Sequence, residues 1–279
     1  MTESPIPPPP IPFEDTSLDV NVRVAYVVTV SDSGDWHRFK CGVKNRIQEE
    51  SSMYFEVVTV DDIQQGVLDK KNFNVICIPG GSAPRYAKSL GQEGMEIIQA
   101  FVKKGGGYVG ICAGAFLACE GECSYECEWY GLLSCRAKEG HSGGEHRRGF
   151  TNECELVFAT GCGEVLGPET SAGGQCLVQY HNGPLLEVTG GTARSVATFV
   201  TELLGEGNQY KPAMGGSSAI VAGMKERGRV VLVSPHLEAS PSHGHKLRQI
   251  FRWASGVYIN LSKIKIVVGN HHESVSSAN

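Results

Sequence analysis

The run Gly106-Gly107-Tyr108-Val109-Gly110-Ile111-Cys112-Ala113-Gly114-Ala115 constrains this chain more than any other stretch. A short β-prone segment leads directly into a cysteine flanked by glycines, and helix formers follow at once. That order predicts a sharp strand-to-helix turn whose central side chain projects from the end of a sheet. Gly110 and Gly114 lie two residues either side of Cys112, where a side chain would collide with the tightened backbone. A cysteine at the start of a helix also faces amide dipoles that favour the thiolate, its reactive form. The expectation is therefore a presented, accessible thiol.

The rest of the first half alternates strand and helix signals. Residues 22–30 form a nearly continuous apolar, β-branched run, as expected of a parallel strand covered on both faces. A helix is expected over 39–51, a strand over 55–60, and an N-cap at Asp61-Asp62 before a short helix ending at 68. A third strand, 75–78, stops at Pro79-Gly80-Gly81. Residues Ile97, Ile98, Phe101 and Val102 recur at helical spacing within 95–104, closed by Lys103-Lys104 and Gly105. Residues 108–111 are the strand of the sharp turn. Such alternation predicts a three-layer α/β domain with a parallel sheet and right-handed crossovers.

The second half reads differently. Residues 155–159, 175–179, 193–203 and 218–224 look like strands joined by hairpins, followed by an apolar strand at 230–234. A helix over 243–254 carries Leu247, Ile250, Phe251 and Ala254 on one stripe. One mostly parallel sheet with an antiparallel extension accommodates both halves. The domain is expected to span 21–262, after a Pro-rich tail over 1–20 and before a strand or tail over 263–279.

Three segments end strands and so can meet at one sheet edge, where ligands bind in such folds. They are Cys112, the Pro79-Gly80-Gly81 loop, and Ser234-Pro235-His236-Leu237-Glu238. On extended backbone, residues two apart point the same way, so His236 and Glu238 can both face Cys112. An imidazole can take the thiol proton while a carboxylate holds its other nitrogen. Glycines at 80 and 81 let backbone amides approach a developing oxyanion.

With these residues in order, the chain resembles a class I glutamine amidotransferase domain of flavodoxin-like architecture. It is most similar to the stand-alone form of the domain at the N-terminus of eukaryotic biotin-protein ligases. The closer likeness rests on Ile78-Pro79-Gly80-Gly81, Gly107 to Ala115, Tyr180-His181-Asn182-Gly183-Pro184, and Gly228 to Glu238. The resemblance implies Cys112 as nucleophile, His236 as general base and acid, and Glu238 as the orienting carboxylate. It also implies an oxyanion hole from the amides of Gly80, Gly81 and Ala113, and puts Tyr180 and Asn182 beside the substrate. In the bland alternative, Asn182-Gly183 only supplies a hairpin turn. The implied activity is glutaminase-type amide hydrolysis of a small molecule, without a cofactor or metal, with a synthetase or ligase as possible partner protein.

Two departures weaken the substrate assignment. Residues 31–35 replace an Asn-Gly-containing loop expected after the first strand, and His181 and Pro184 replace an aromatic and a glycine. No Gly-Arg-Gly adenylate-binding loop follows, so biotin transfer is not expected of these residues alone. A non-catalytic binding module and a cysteine peptidase are the competing expectations.

Composition sets outer bounds. The 279 residues are 41% hydrophobic and 20% charged, with a net charge of −5, which gives no reason to expect nucleic acid or an anionic membrane surface. No run approaches the roughly 20 apolar residues of a membrane span. Met1-Thr2-Glu3-Ser4 lacks the basic region of a signal peptide, so ten cysteines read as reduced thiols in the cytoplasm. Cys119, Cys123, Cys127 and Cys135, with His141 and His146 nearby, could hold zinc. The paired Cys-x-x-Cys spacing is missing, and packed thiols are the expectation. The glycine-rich segment 140–149 reads as a surface loop, with Arg147-Arg148 as an anion contact in the alternative.

Overall fold

A computed structural model of the chain describes residues 22–29, 37–50, 52–123, 127–128, 130–138, 152–202 and 214–256. Both expected tails, and the segments 31–35 and 140–149, lie outside the described residues. In chain order the first half contains β1 (Val22–Val28), α1 (His37–Gln48), β2 (Met53–Thr59), α2 (Val60–Gln64) and α3 (Val67–Lys70). It continues with β3 (Val75–Ile78), α4 (Ala83–Lys103), β4 (Gly107–Ile111) and α5 (Ala113–Leu117). Next come β5 (Glu122–Cys123), β6 (Cys127–Glu128), β7 (Cys135–Ala137), β8 (Asn152–Phe158), α6 (Gly163–Leu166) and β9 (Gln175–Tyr180). The remainder is β10 (Leu186–Val188), β11 (Arg194–Phe199), β12 (Ser218–Lys225), β13 (Gly228–Val233) and α7 (Gly244–Ser255).

One sheet of eleven strands runs β2-β1-β3-β4-β13-β12-β11-β8-β9, with β10 on β12 and β7 on β10. Every pair from β2 to β13 is parallel, and every pair beyond β13 is antiparallel. The expectation of a mostly parallel sheet with an extension is corrected here. Among the described residues the antiparallel part is at least as large: β7 to β12 against β1 to β4 with β13.

The apolar runs of the parallel strands are continuous because each strand feeds two cores. Val24, Tyr26, Val75, Cys77, Val109, Ile111, Val231 and Val233 point into a cluster shared with Val43 and Ile47 of α1 and Leu247, Ile250 and Phe251 of α7. Their neighbours Ala25, Val27, Ile76, Ile78, Tyr108, Val230 and Leu232 point the other way, onto residues of α2 to α5. Helices thus cover both faces of the parallel part.

Two local expectations change. The cap before α2 is Thr59, whose hydroxyl accepts from the Asp62 amide while Asp62 accepts from the Thr59 amide, a reciprocal capping box. Helix α4 starts a full twelve residues before the expected 95, with Pro84 in its first turn and a break at Gly91 (φ 59°, ψ −172°). That break hid the helix from a periodicity count.

Candidate active site

Strand β4 lies between β3 and β13, all parallel, so their C-terminal ends put Gly80, Cys112 and Ser234 side by side. The Cys112 amide donates to the Val233 carbonyl (2.8 Å), and its own carbonyl accepts from Ala115 and Phe116. The turn forces Cys112 to φ 50°, ψ −99°, a conformation that costs free energy in any residue with a Cβ. It is tight enough to require both flanking glycines. A Cβ at Gly110 would stand 2.4 Å from the Gly114 carbonyl oxygen, and one at Gly114 only 2.0 Å from that of Ile78. The Tyr108 hydroxyl locks the same bend by donating to the Gly114 carbonyl (2.7 Å).

His236 follows β13 and is fully buried, with its Nδ1 2.7 Å from Oε1 of the equally buried Glu238. Burial pushes the imidazolium down. The Glu238 charge, with hydrogen bonds to Cys112 and Glu238, outweighs it and raises the His236 pKa to about 10. Glu238 does not face Cys112 as extended backbone would have placed it. It sits in a short 3-10 turn, Leu237–Ala239, behind the ring. The order is sulfur, imidazole, carboxylate. Gly80 borders the first two: a Cβ there would fall 2.8 Å from His236 Cε1 and 3.6 Å from Cys112 Cβ. Ala113, as the first residue of α5, has an amide with no carbonyl four residues earlier in its helix.

The antiparallel part supplies a roof. Strand β9 is at the far end of the sheet, yet the sheet curls so that the Gln179 carbonyl accepts from the His236 amide (2.7 Å). The next residues cross the elbow, and Cys112 Sγ lies 3.4 Å from the His181 carbonyl oxygen. Cys112 is consequently only 4% exposed, which corrects the expectation of a solvent-presented thiol. Burial and the neighbouring His236 charge both hold the His181 imidazole below its ordinary pKa. Tyr180 is fully buried against Phe199, ring edge to face, with its hydroxyl donated to the Gly183 carbonyl (2.7 Å). Its side chain braces the turn rather than lining the sulfur. Asn182 has φ 54°, as a turn residue, and its Oδ1 is buried with no hydrogen-bond partner among the described residues. A Cβ at Gly183 would come within 2.1 Å of the Ser234 carbonyl oxygen, so this turn is pressed onto the segment that carries His236.

Sequence reasoning passed over Cys77 and Gly42, and read His181 only as a departure from the family's turn. Cys77, fully buried, feels the Glu238 charge after burial itself in what raises its pKa. Gly42 of α1 lies directly on Glu238, and only a glycine inside a helix signalled it. Elsewhere, Cys119 donates to the Ala115 carbonyl (3.3 Å); its side-chain hydrogen bond with Cys135, and then burial, raise its pKa. Cys123 and Cys127 pair across a hairpin backbone. Among the described residues no three His, Cys, Asp or Glu gather as a metal site. His141, His146 and Arg147-Arg148 lie outside the described residues.

The sheet with helices on both faces of its parallel part, and a bent cysteine at its C-terminal edge, defines a mixed α/β protein. Its structure is similar to PurLQS from Thermotoga maritima, at 16% identity and a TM-score of 0.56, over 84% of this chain and 97% of that one. A putative thua-like protein from Bacteroides uniformis is similar at 10% identity and a TM-score of 0.59, over 87% and 95%. At such identities the likeness shows the fold. Residues 43–258 match the family described as biotin-protein ligase, N terminal, and the chain belongs to that family. An uncharacterized protein of Chlamydia muridarum (strain MoPn / Nigg) is 26% identical over 167 residues, 60% of this chain. The match covers 61% of that relative's length. No helix among the described residues is long and apolar enough to cross a membrane.

Proposed function

We propose that this protein is a glutamine amidotransferase-like amide hydrolase of three-layer, flavodoxin-like architecture that works on a small carboxamide in the cytoplasm. The observation that carries this is the line Cys112, His236, Glu238, with the imidazole 2.7 Å from the carboxylate and the Cys112 thiol near enough to help raise its pKa. Nδ1 faces Glu238, which leaves Nε2 to exchange protons with the sulfur and the substrate. With its proton already held on the imidazole, Cys112 Sγ attacks the carbonyl carbon, and the amides of Gly80, Gly81 and Ala113 receive the oxyanion. As the C–N bond breaks, Nε2 returns the proton to nitrogen and ammonia leaves. Water then loses a proton to Nε2 and attacks the thioester, releasing the acid and freeing the sulfur. Asn182 beside the sulfur contacts substrate, with Tyr180 fixing the turn beneath it. A synthetase or ligase partner would receive the ammonia.

Intact-mass analysis after treatment with a glutamine-analogue electrophile tests this. One adduct on Cys112 is expected, absent in Cys112→Ala, and ammonia release from carboxamides stops in the same variant. No adduct on a folded protein whose Cys112 alkylates once denatured contradicts the reading. The 4% exposure of Cys112 favours a second reading, a non-catalytic binding module on the same scaffold. Its mark is a ligand-induced rise in Tm without turnover, unchanged by His236→Ala. A peptidase would cleave peptides but not free amides.

A further inference from the structure

Helix α1 carries a glycine at its middle, Gly42, although glycine is among the poorest helix formers. The reason is on its far side. A Cβ at Gly42 would stand 2.8 Å from the Glu238 carbonyl oxygen and 3.2 Å from Glu238 Cγ. Real side chains do not approach that closely, so α1 reaches its seat only because this position is bare. The flanking Val43 and Ile47 are fully buried and hold the helix in that seat. Glu238 is thereby enclosed by α1 and by His236 at Oε1, and the buried Cys77 of β3 feels its charge. Its Oε2 has no hydrogen-bond partner among the described residues. Packing therefore has to do much of the orienting that hydrogen bonds do for the other oxygen.

We infer that Gly42 is a positioning residue: by letting α1 press on the backbone and Cγ of Glu238, it keeps the carboxylate on the His236 ring. The inference rests on the hydrolase reading above, but its test needs no substrate. The groups acting on the His236 charge are Glu238 and Cys112, and His181 stands close enough to feel it in turn.

The two roles a helical glycine can have predict opposite outcomes. If Gly42 were merely a weak point in α1, Gly42→Ala would strengthen the helix and leave the site alone. If it positions Glu238, the added methyl displaces the carboxylate. The experiment follows the His236 ring by NMR in ¹⁵N-histidine-labelled protein across pH. From about 10 in the parent, its pKa should fall by a unit or more in Gly42→Ala, a tenfold loss of proton affinity. Gly94→Ala, which crowds Leu90 within α4, serves as the control and should leave His236 where it was. If Gly42→Ala does not fold, Val43→Ala decides, because it loosens the seat of α1 without adding atoms near Glu238; a smaller fall in the same direction is expected. An unchanged His236 titration in the folded variant overturns the role of Gly42. If Cys112 still forms its adduct, the hydrolase reading survives that result. Conversely, a fallen titration in a protein whose parent forms no adduct supports the positioning and sinks the chemistry.

Discussion

The parallel and antiparallel parts of the one sheet divide the site between them. From β2 to β13, adjacent parallel strands end together and deliver Gly80, Cys112 and His236 to a common edge. Beyond β13 the strands contribute cover instead: β9 curls back to bond the His236 amide, and its turn lays the His181 carbonyl against Cys112. The reactive groups belong to the half with crossovers, and access to them belongs to the half with hairpins. The two halves should therefore respond differently to substitution.

Gly114→Ala should be the most damaging change, because its Cβ would meet the Ile78 carbonyl at 2.0 Å with backbone on both sides. A loss of about 3 kcal/mol or more in urea unfolding is expected. A loss below about 1 kcal/mol would mean the elbow yields easily. Next in size, Glu238→Gln should bring His236 down from about 10 toward its ordinary 6.5, since burial is then opposed by Cys112 alone. The sign follows from linkage. A group whose pKa is raised on folding gives stability that is complete below about 6.5 and lost as pH rises through about 10. The parent's Tm should thus decline across that window, and the variant's decline should be shallower. Equal slopes would show that Glu238 does not hold the imidazolium.

Tyr180→Phe probes the roof. Removing the hydroxyl from the Gly183 carbonyl should cost about 1 kcal/mol and speed alkylation of Cys112 a few-fold as the turn loosens. Alkylation at the parental rate would separate the turn from access. Leu177→Ser, at a side chain of β9 that is 58% exposed, should change stability by no more than about 0.5 kcal/mol. A larger loss would mean that this side chain is covered.

Legibility followed the same division. The inner parallel strands declared themselves because burial on both faces makes most of their residues apolar, and β3 was read to the residue. That Cys112 and His236 meet was readable because they follow the adjacent strands β4 and β13, whereas Glu238 lies in a 3-10 turn beyond them. The roof was not, since no local pattern says that β9, last in the sheet, curls back to β13. Hence Cys112 was expected in the open, and Tyr180 against substrate. The three-residue strands β7 and β10 carry too few residues to show a period, and they owe their pairing to neighbours. Gly42 was visible only as a glycine within α1, with Glu238, whose backbone and Cγ it faces, almost two hundred positions away.

Iodoacetamide labelling of Cys112 at neutral pH, followed by peptide mass mapping, asks the central question most directly. If His236 takes the proton of that sulfur, His236→Ala should slow labelling at least tenfold while Cys154 and Cys162, buried elsewhere, keep their rates. Equal labelling of Cys112 in parent and variant would contradict the account, because the imidazole would then be a neighbour of the thiol and nothing more.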